Sequence, residues 1–540
     1  MITQKIFWLK IKFSYLWVLF LPAKASRGEI SHGSSSRNCI DFSLSGFRRL
    51  PEMHEPVKMC RKLRKINSYA TYMKKTVISV KEFGLMLLCL MVAFAPLTSC
   101  QKEKTANVED LLSTVPSSAG MVVGFNLSSL LEKAGCKIDG SSVTPGKEIK
   151  ESLDAAPAGK QNDLIKALLS GETGIDPVGA ILFTDAYNTY FTAAIADTEK
   201  YSDFIVKQTE LPFEDAGDNV RISGCVAISG AQTWIGLSNG SLDAKAIKNY
   251  ANLDKTQSFA SLEAAKDMTT MTHDIVGFGQ IKNFIAGRLS FSNEALLNLC
   301  MGFLFDNATA LSFYQDFNNG EVISKAMVLN DKSQPAKYLL PADKISVDEV
   351  KKLPANANTL AAAAISKTLV KKVSKMAESF GGTLPATFSA VANVLDGTSA
   401  IAIGTPETMD PSYSAIIATD GKAPLEMMQF LSTFGNTQKE DKIVKLSKGE
   451  VNGALEVEKM ADRLKGATIG VVSHLDADSN DDAVSMLGMI DRSFESAGAV
   501  FTTLTATLTP ESNSLSLNLN AETANKDENS LLALLQAALK

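Results

Sequence analysis

The chain has 540 residues, of which 45% are hydrophobic and 21% are charged, and its formal net charge is −5 at pH 7. This length is enough for two or more domains that each bury a core. The hydrophobic content excludes a largely disordered chain, so we expect folded structure outside one short tether.

Residues 73–99 have the three parts of a secretory signal peptide. Lys74 and Lys75 provide the positive start, and an apolar run from Phe83 to Phe94 precedes Pro96. The run is shorter than the roughly 20 residues that a transmembrane helix needs. We therefore expect a cleaved export signal and not a permanent membrane span.

Leu97-Thr98-Ser99-Cys100 resembles the lipobox of bacterial lipoproteins. The resemblance implies cleavage between Ser99 and Cys100, and attachment of lipid to the Cys100 thiol. Residues 100–106 are mostly polar and suit a lipidated tether. Because two acyl chains already give stable anchoring, we expect a protein that sits on a membrane without crossing it.

Residues 1–72 are predicted to be an upstream extension, with translation starting at Met73. They hold 13 Lys and Arg but only 4 Asp and Glu, and they show no sustained periodicity after Phe20. A second export signal ahead of residues 73–99 would have no mechanistic role. The basic cluster Lys58–Lys65 is the feature here that would suit nucleic acid.

The remaining chain is strongly acidic. Removal of residues 1–99, which hold 16 Lys and Arg and 5 Asp and Glu, leaves 38 basic and 54 acidic residues and a net charge of −16. Such a surface disfavours nucleic acid and anionic membrane as partners. We therefore predict no nucleic-acid partner, and membrane association only through the lipid anchor.

The sequence predicts neither a cofactor nor a metal. His273 and His474 are the only histidines after residue 99, and three scattered thiols cannot complete a zinc set with them. Those thiols, Cys136, Cys225 and Cys300, lie in apolar settings, so we expect small buried hydrophobic side chains. Gly277-Phe278-Gly279 lacks the third glycine of a dinucleotide fingerprint, and the two glycines suit close strand packing.

The first part of the chain alternates predicted helices with predicted pairs of strands. Asn126 or Ser128 can cap a helix with apolar residues at helical spacing, and residues 139–146 are rich in turn-forming residues and predict a loop. The other predicted helices are Val108–Leu112, Lys147–Ala156, Asn162–Ser170, Glu199–Thr209 and Leu242–Tyr250. The predicted strands are Met121–Phe125, Val178–Phe183, Tyr190–Ala196, Val220–Ile228 and Thr233–Leu237.

The same alternation continues to the C-terminus. The predicted strands are Asp274–Gln280, Ala310–Asp316, Val322–Asn330, Val500–Leu508 and Leu515–Leu519. The predicted helices are Lys367–Ser379, Leu425–Thr433, Asp482–Ala497 and Ser530–Leu539. Hairpins that alternate with helices predict an α+β fold, in which helices pack on one face of a mostly antiparallel sheet.

Three sequence matches in the same order predict two related halves. The matched segments are Val115–Asn126 with Leu353–Ile365, Gly174–Leu182 with Val394–Ala402, and Tyr190–Asp197 with Tyr413–Asp420. The predicted α+β domains are residues 107–340 and 346–540. Asp197 and Asp420 end matching segments shortly before helices, so N-terminal capping explains both.

These features together resemble a family of lipoproteins from Bacteroides-type bacteria, the domain of unknown function 4836 family. The resemblance depends on the Lys-led signal, on Leu97–Cys100, and on the opening VPSSAGMVVGFN from Val115 to Asn126. It covers most of residues 73–540. The family has no known activity, so the resemblance implies a location on the membrane and does not imply a reaction.

Gly236-Leu237-Ser238-Asn239-Gly240 matches the G-x-S-x-G nucleophile elbow of serine hydrolases. A nucleophilic Ser238 would need a histidine to accept its proton, and His273 or His474 could supply it. The preceding strand, however, is predicted in an antiparallel hairpin, and no oxyanion loop of the HGGG type precedes it. Asn239-Gly240 is more simply a turn, with Ser241 capping the next helix.

Two other patterns have a structural explanation beside a functional one. Asp476–Asp482 resembles the start of a calcium loop, but Asp481 stands where glycine is required and Leu487 where glutamate is required, which favours a solvated loop. The aromatic residues of 187–191 and 313–317 would stack on sugar rings if exposed. Packing in the strand core is the alternative for both groups.

The sequence therefore predicts a lipid-anchored envelope protein without catalytic activity, which presents a sheet or groove to an unknown protein or glycan. Gln101 is not the aspartate associated with inner-membrane retention, so we expect the outer membrane by analogy. A serine hydrolase using Ser238 is the alternative.

Overall fold

The computed structural model describes residues 108–140, 142–155, 166, 169, 173–185, 188–237, 242–282, 301–379, 386–405, 412–475 and 500–539. Residues 108–376 and 386–539 belong to one structural unit. This unit mixes helices with a large antiparallel sheet, which confirms the predicted α+β class.

The strands of the large sheet are β1 Met121–Phe125, β4 Ile175–Asp185, β5 Asn188–Ile195, β6 Glu214–Gly217, β7 Val220–Ser223, β8 Val226–Ser229, β9 Gln232–Gly236, β10 Ile275–Gln280, β11 Ala308–Asn318, β12 Glu321–Asn330, β14 Thr359–Ile365, β15 Gly397–Ile403, β16 Tyr413–Ala418, β17 Asn436–Glu440, β18 Ile443–Lys448, β20 Ile469–His474, β21 Phe501–Glu511 and β22 Ser514–Thr523. Two further pairs are β2 Cys136–Asp139 with β3 Ser142–Pro145, and β13 Asn356–Ala357 with β19 Leu455–Glu456.

The described α-helices are α1 Val108–Ser113, α2 Leu127–Lys133, α3 Lys147–Ala155, α4 Thr198–Thr209, α5 Ala244–Ala251, α6 Lys266–Thr270, α7 Val347–Val350, α8 Lys367–Ser379, α9 Ala386–Ala392, α10 Leu425–Ser432, α11 Val457–Arg463 and α12 Ser530–Leu539. Three short 3-10 helices lie between Lys255 and Ala265. No helix within the described ranges is long and apolar enough to span a bilayer.

The centre of the sheet is the pairing of β12 with β22, two strands about 190 residues apart in the chain. Read outward from β12, the neighbours are β11, β10, β1, β4 and β5. Read outward from β22, they are β21, β20, β14, β15 and β16. The sheet therefore crosses the predicted boundary between residues 340 and 346. Two related halves and their domain limits stay predictions.

Helices cover both faces of the strands that flank this centre. On one face of β1 and β4, Phe125 and Leu182 pack with Leu130 of α2. On the other face, Phe183 and Trp234 pack in a cluster that includes Leu112 of α1. Burial of each large apolar side chain contributes about 1.5–3 kcal/mol, so these clusters hold the helices on the sheet.

The strands in the C-terminal part of the chain are also covered by helices on both faces. Leu360 and Val472 pack with Met460 of α11 on one face. Ala415 and Leu446 pack in a second cluster with Leu431 of α10. The first two clusters extend onto the central strands, through Phe317 and Val322 in one and through Ala310 and Leu329 in the other.

Two local predictions were wrong because glycine allows a turn that a pattern of apolar residues does not reveal. Residues 220–228 form the two strands β7 and β8, since Gly224 has a φ of 58° and turns the chain between them. The segment predicted as a loop at residues 139–146 lies partly in the β2–β3 hairpin. There Gly140, with a φ of 59°, follows the last residue of β2.

Of the predicted helix caps, two are confirmed and two are wrong. Asn126 accepts a hydrogen bond from the Ser129 N–H, and Asp197 accepts one from the Lys200 N–H, as predicted for the starts of α2 and α4. Asp420 does not cap α10, because its carboxylate pairs with Lys367 at 2.6 Å instead. Helix α5 is capped by Asp243 and not by Ser241.

Candidate functional site

Several residues singled out by the sequence lie outside the described ranges. They are Ser99 and Cys100 of the lipobox, Ser238 of the G-x-S-x-G motif, Cys300, and the acidic segment 476–482. Signal cleavage, lipidation and the nucleophile therefore stay predictions. Their flanking elements nevertheless bear on the hydrolase alternative.

Strand β9, which leads toward Ser238, ends far from His273. The Leu237 N–H donates to the Thr189 oxygen at 2.9 Å, at the end of the strands where Gly279 also lies. His273 precedes the opposite end of β10. Six residues separate Gly279 from His273, which corresponds to about 20 Å along a strand.

His474 is more distant. It lies in β20, nine strand positions from β9 across the sheet, which corresponds to roughly 40 Å. Neither predicted base lies beside the strand end that leads to Ser238. The expected antiparallel setting of β9, paired with β5 and β8, is confirmed.

His273 belongs instead to a small cluster at the start of β10. Its Nδ1 lies 2.7 Å from Asp316 Oδ2, and its ring stacks on Tyr314 with centroids 3.8 Å apart and an interplanar angle of 9°. The Asp274 N–H donates to the other carboxylate oxygen of Asp316 at 3.1 Å. This arrangement fixes the imidazole and the phenol ring in one orientation.

The neighbouring Asp274 is a buried hub that joins three elements. Its carboxylate accepts hydrogen bonds from Ser129 Oγ at 2.6 Å, from Lys133 Nζ at 2.7 Å and from the Phe317 N–H at 2.6 Å. The Asp274 side chain is 2% exposed. Because the three donors come from α2 and β11, the hub ties that helix and strand to the start of β10.

The central strands β11, β12, β22 and β21 carry mostly polar side chains on one side of the sheet, which we call the polar central face, and two of these side chains, Thr507 and Ser516, are buried. Cross-strand partners lie on the same side of a sheet, so the register defines its rows. The three rows are Ser312–Met327–Ser516–Thr509, Tyr314–Lys325–Asn518–Thr507 and Asp316–Ile323–Asn520–Thr505. Ten of these twelve side chains carry a polar atom. The only one packed against a hydrophobic cluster is Tyr314.

Amide and hydroxyl groups on this face are linked to one another. Asn518 Nδ2 donates to Thr509 Oγ1 at 3.0 Å and to Ser516 Oγ at 3.1 Å. Asn520 Nδ2 donates to Glu321 Oε2 at 2.8 Å. The hydrogen bonds hold both asparagine side chains in place.

The charged groups around the face are paired. Lys325 Nζ lies 2.6 Å from Glu511 Oε1, and Ser516 Oγ donates to the same oxygen at 2.8 Å. Burial opposes ionisation of Glu511, but the hydrogen bonds from Lys325 and Ser516 outweigh it and lower the pKa of the carboxyl. Glu511 therefore stays ionised and neutralises Lys325.

Glu522, at the edge of the polar central face, also has its carboxylate paired with basic side chains. Lys526 and both terminal nitrogens of Arg463 contact its carboxylate. Burial raises the pKa of Glu522, but the hydrogen bonds from Lys526 and Arg463 lower it further than burial raises it. Lys325, Arg463 and Lys526 are therefore each paired with a carboxylate.

Two buried oxygen atoms of the face have no hydrogen-bond partner among the described residues. They are Asn520 Oδ1 and Thr505 Oγ1, which belong to directly paired residues on β22 and β21. Buried polar atoms are normally hydrogen-bonded.

The aromatic residues named by the sequence have different surroundings. Tyr190 and Phe191 are buried in clusters on opposite faces of β5, so core packing is confirmed for them. Phe317 is also buried, whereas Phe313 lies on the side opposite to Tyr314, with its ring over Gly277. Tyr314 is the aromatic side chain on the polar central face.

The described thiols and acidic groups do not suggest chemistry. Cys136 is buried, and burial raises the pKa of its thiol to about 12, so it is protonated at neutral pH. Cys225 is half-buried. Within the described ranges, no group of three or more His, Cys, Asp or Glu side chains could hold a metal ion.

A groove lies beside α7, between the ends of β14, β15 and β16 and the β17–β18 hairpin. It is an open groove of about 720 Å³. Two of its lysines are paired, Lys352 with Glu349 at 2.7 Å and Lys445 with Glu440 at 2.6 Å. None of its lining residues is aromatic, and its charged side chains face solvent. The groove has the character of a solvated surface.

Sequence reasoning identified the four central strands but missed their common polar surface. The signal was present in the alternation of Thr503, Thr505, Thr507 and Thr509, and of Ser516, Asn518 and Asn520, with Leu and Ala. Alternation predicts a half-buried strand. It does not reveal that the polar sides of two distant hairpins lie next to each other.

The comparisons with known proteins do not identify a family. No protein-family model matches the chain, and no curated protein is similar to it. Two solved crystal forms of TP0453 are similar at 9% identity: form I has a TM-score of 0.25 and covers 67% of this chain and 97% of its own, and form III has a TM-score of 0.24 and covers 65% and 96%. These scores are too low to support an argument about fold or function.

Proposed function

We propose that the chain is a lipid-anchored protein of the bacterial envelope that binds a macromolecular partner on its polar central face. The anchor is Cys100, and the destination is the outer membrane. The protein acts as a binding or structural module and not as an enzyme.

One observation carries this proposal. Ten polar side chains on four adjacent strands face the same side of the sheet. A sheet centre without a binding role would be expected to carry apolar side chains under helices, as the flanking strands do.

The hydrolase alternative receives no support from the described geometry. His273 is held by Asp316 and Tyr314, about 20 Å along the strands from the end that leads to Ser238.

Photo-crosslinking in intact cells tests the proposal. Tyr314 is replaced by p-benzoylphenylalanine, whose shape is close to that of tyrosine, and cells are irradiated. We expect a covalent adduct of higher mass, because Tyr314 lies on the polar central face. The matched control places the same residue at Phe213, a half-exposed aromatic position near the far edge strand β6, where no adduct is expected. Adducts at both positions, or none at Tyr314, would contradict the proposal.

A further inference from the structure

We infer that the edge strand β17 pairs with β17 of a second copy of this chain, which gives a two-fold symmetric dimer with one continuous sheet. This surface is separate from the polar central face, because β17 lies at one end of the sheet and the face lies at its centre. The strand has a regular open edge, a charge pattern that complements itself, and an exposed apolar side chain beside it.

Strand β17 is one of the two end strands of the large sheet. The 18 strands are paired in one order that begins with β6 and ends with β17. All five residues of β17 pair with β18 in an unbroken register, and no other described strand pairs with β17. Four of the five residues are exposed. A regular, accessible edge of this kind can pair with a strand of another chain through its backbone N–H and C=O groups.

The other end strand, β6, is protected against such pairing. Its register shifts between Asp215 and Gly217, and a bulge of this kind interrupts the regular row of backbone groups. Its first two residues, Glu214 and Asp215, are both acidic and exposed, so pairing with a second β6 would bring like charges together. Strand β17 has no bulge and carries one basic and one acidic residue, so these protections are missing there.

The side chains of β17 complement those of a second β17 in antiparallel pairing. With Gln438 on the two-fold axis, Asn436 lies opposite the partner's Glu440, and Thr437 lies opposite the partner's Lys439. The amide of Asn436 can donate to that carboxylate, and the Thr437 hydroxyl can accept from that ammonium. No like charges are directly opposed, and symmetry makes each favourable pair twice.

An exposed leucine lies near this edge. Leu425, the first residue of α10, is 68% exposed. Lys439 Nζ donates to the Gly421 oxygen at 2.8 Å, so the segment that leads into α10 runs beside β17. A two-fold axis between two antiparallel strands stands perpendicular to the sheet, so α10 of both copies lies on the same face. The dimer therefore brings apolar surface from both copies to the junction.

Disulfide formation in a single-cysteine position tests the symmetry of the pairing. The full chain in detergent is oxidised mildly, and mass spectrometry identifies the joined peptides. In the Gln438→Cys variant the two Cα atoms should lie about 5 Å apart across the axis, within the range of a disulfide, so we expect a dimer linked at residue 438.

Asn436→Cys is the matched control on the same exposed strand. In this register the two copies of residue 436 are separated by four residues along the strands, or about 14 Å, so their thiols should stay unlinked. Absence of a link at residue 438, or equal linking at residues 436 and 438, would overturn the inference.

A pair of variants that differ only in the sign of one charge tests the interface without a crosslink. Sedimentation in detergent at concentrations up to about 0.2 mM, above micromolar Kd values, should show a dimer of the unmodified chain. Thr437→Glu places a carboxylate opposite the partner's Lys439 and should lower the Kd about fivefold, whereas Thr437→Lys should raise it about fivefold. A monomer at every concentration, or the same Kd for both variants, would contradict the pairing of β17 with a second copy.

Discussion

Replacement of Asp274 by alanine is expected to lower the free energy of unfolding by about 3 kcal/mol, since it leaves a partly buried cation, Lys133, and two further donors without their common acceptor. Lys133 Nζ, Ser129 Oγ and the Phe317 N–H all donate to this carboxylate, whose side chain is 2% exposed. Urea unfolding followed by circular dichroism measures the change as a lower midpoint at an unchanged slope.

Asp267→Ala is the matched control for this experiment. Asp267 lies on α6, seven residues before Asp274, and its side chain is exposed. Its substitution should change the free energy of unfolding by less than about 0.5 kcal/mol. Asp274→Asn should fall between the two variants, because it keeps an acceptor but loses the charge. Equal midpoints for Asp274→Ala and Asp267→Ala would show that the hub does not stabilise the fold.

Replacement of Cys100 by serine is expected to abolish lipid attachment and release the protein from the membrane fraction. The thiol of Cys100 is the atom that lipidation requires in the lipobox resemblance, and a hydroxyl does not replace it. Metabolic labelling with an alkyne analogue of palmitate, followed by fractionation, measures both effects in the same cells. The label should fall to background, because a single acylated position is predicted.

Cys225→Ser is the control for labelling. Cys225 is a half-buried thiol of the folded unit, so this variant should keep the label and its membrane association. Retention of label in the Cys100→Ser variant would mean that another residue carries the lipid. Loss of label with unchanged membrane association would mean that the anchor is not lipid.

Local sequence signals predicted local structure well in this chain. Strand β1 occupies the predicted residues Met121–Phe125, and the side chains of Asn126 and Asp197 cap the helices that follow them. These features depend on neighbours within a few residues, which a pattern of residue types records directly. The same is true of the α+β class, which follows from the alternation of hairpins and helices.

Features that depend on distant residues could not be predicted in this way. Asp420 was expected to cap a helix, but it pairs with Lys367, which is 53 residues earlier in the chain. The pairing of β12 with β22 joins residues that are about 190 positions apart, and no local signal specifies it. Because the polar central face exists only through that pairing, the sequence showed its strands but not the surface that they form together.

The local pairing of charged side chains is a second property that the overall composition does not show. A net charge of −16 for residues 100–540 describes the whole surface. On the polar central face, however, Lys325 is matched by Glu511, and Arg463 and Lys526 are matched by Glu522. The acidic average therefore does not describe the local pairing of charges on this face.

The register between β12 and β22 is the measurement that tests this account most directly, since the binding surface requires these strands to lie side by side. Ser324 and Leu519 are cross-strand partners on the side opposite to the polar central face. In the Ser324→Cys/Leu519→Cys variant, a short bis-methanethiosulfonate should link the two thiols, and mass spectrometry should recover the joined peptides. In the Ser324→Cys/Leu515→Cys control, the second thiol lies four residues along β22, about 13 Å away, and should stay unlinked. Equal linking in the two variants, or linking only in the control, would contradict the central pairing and the surface built on it.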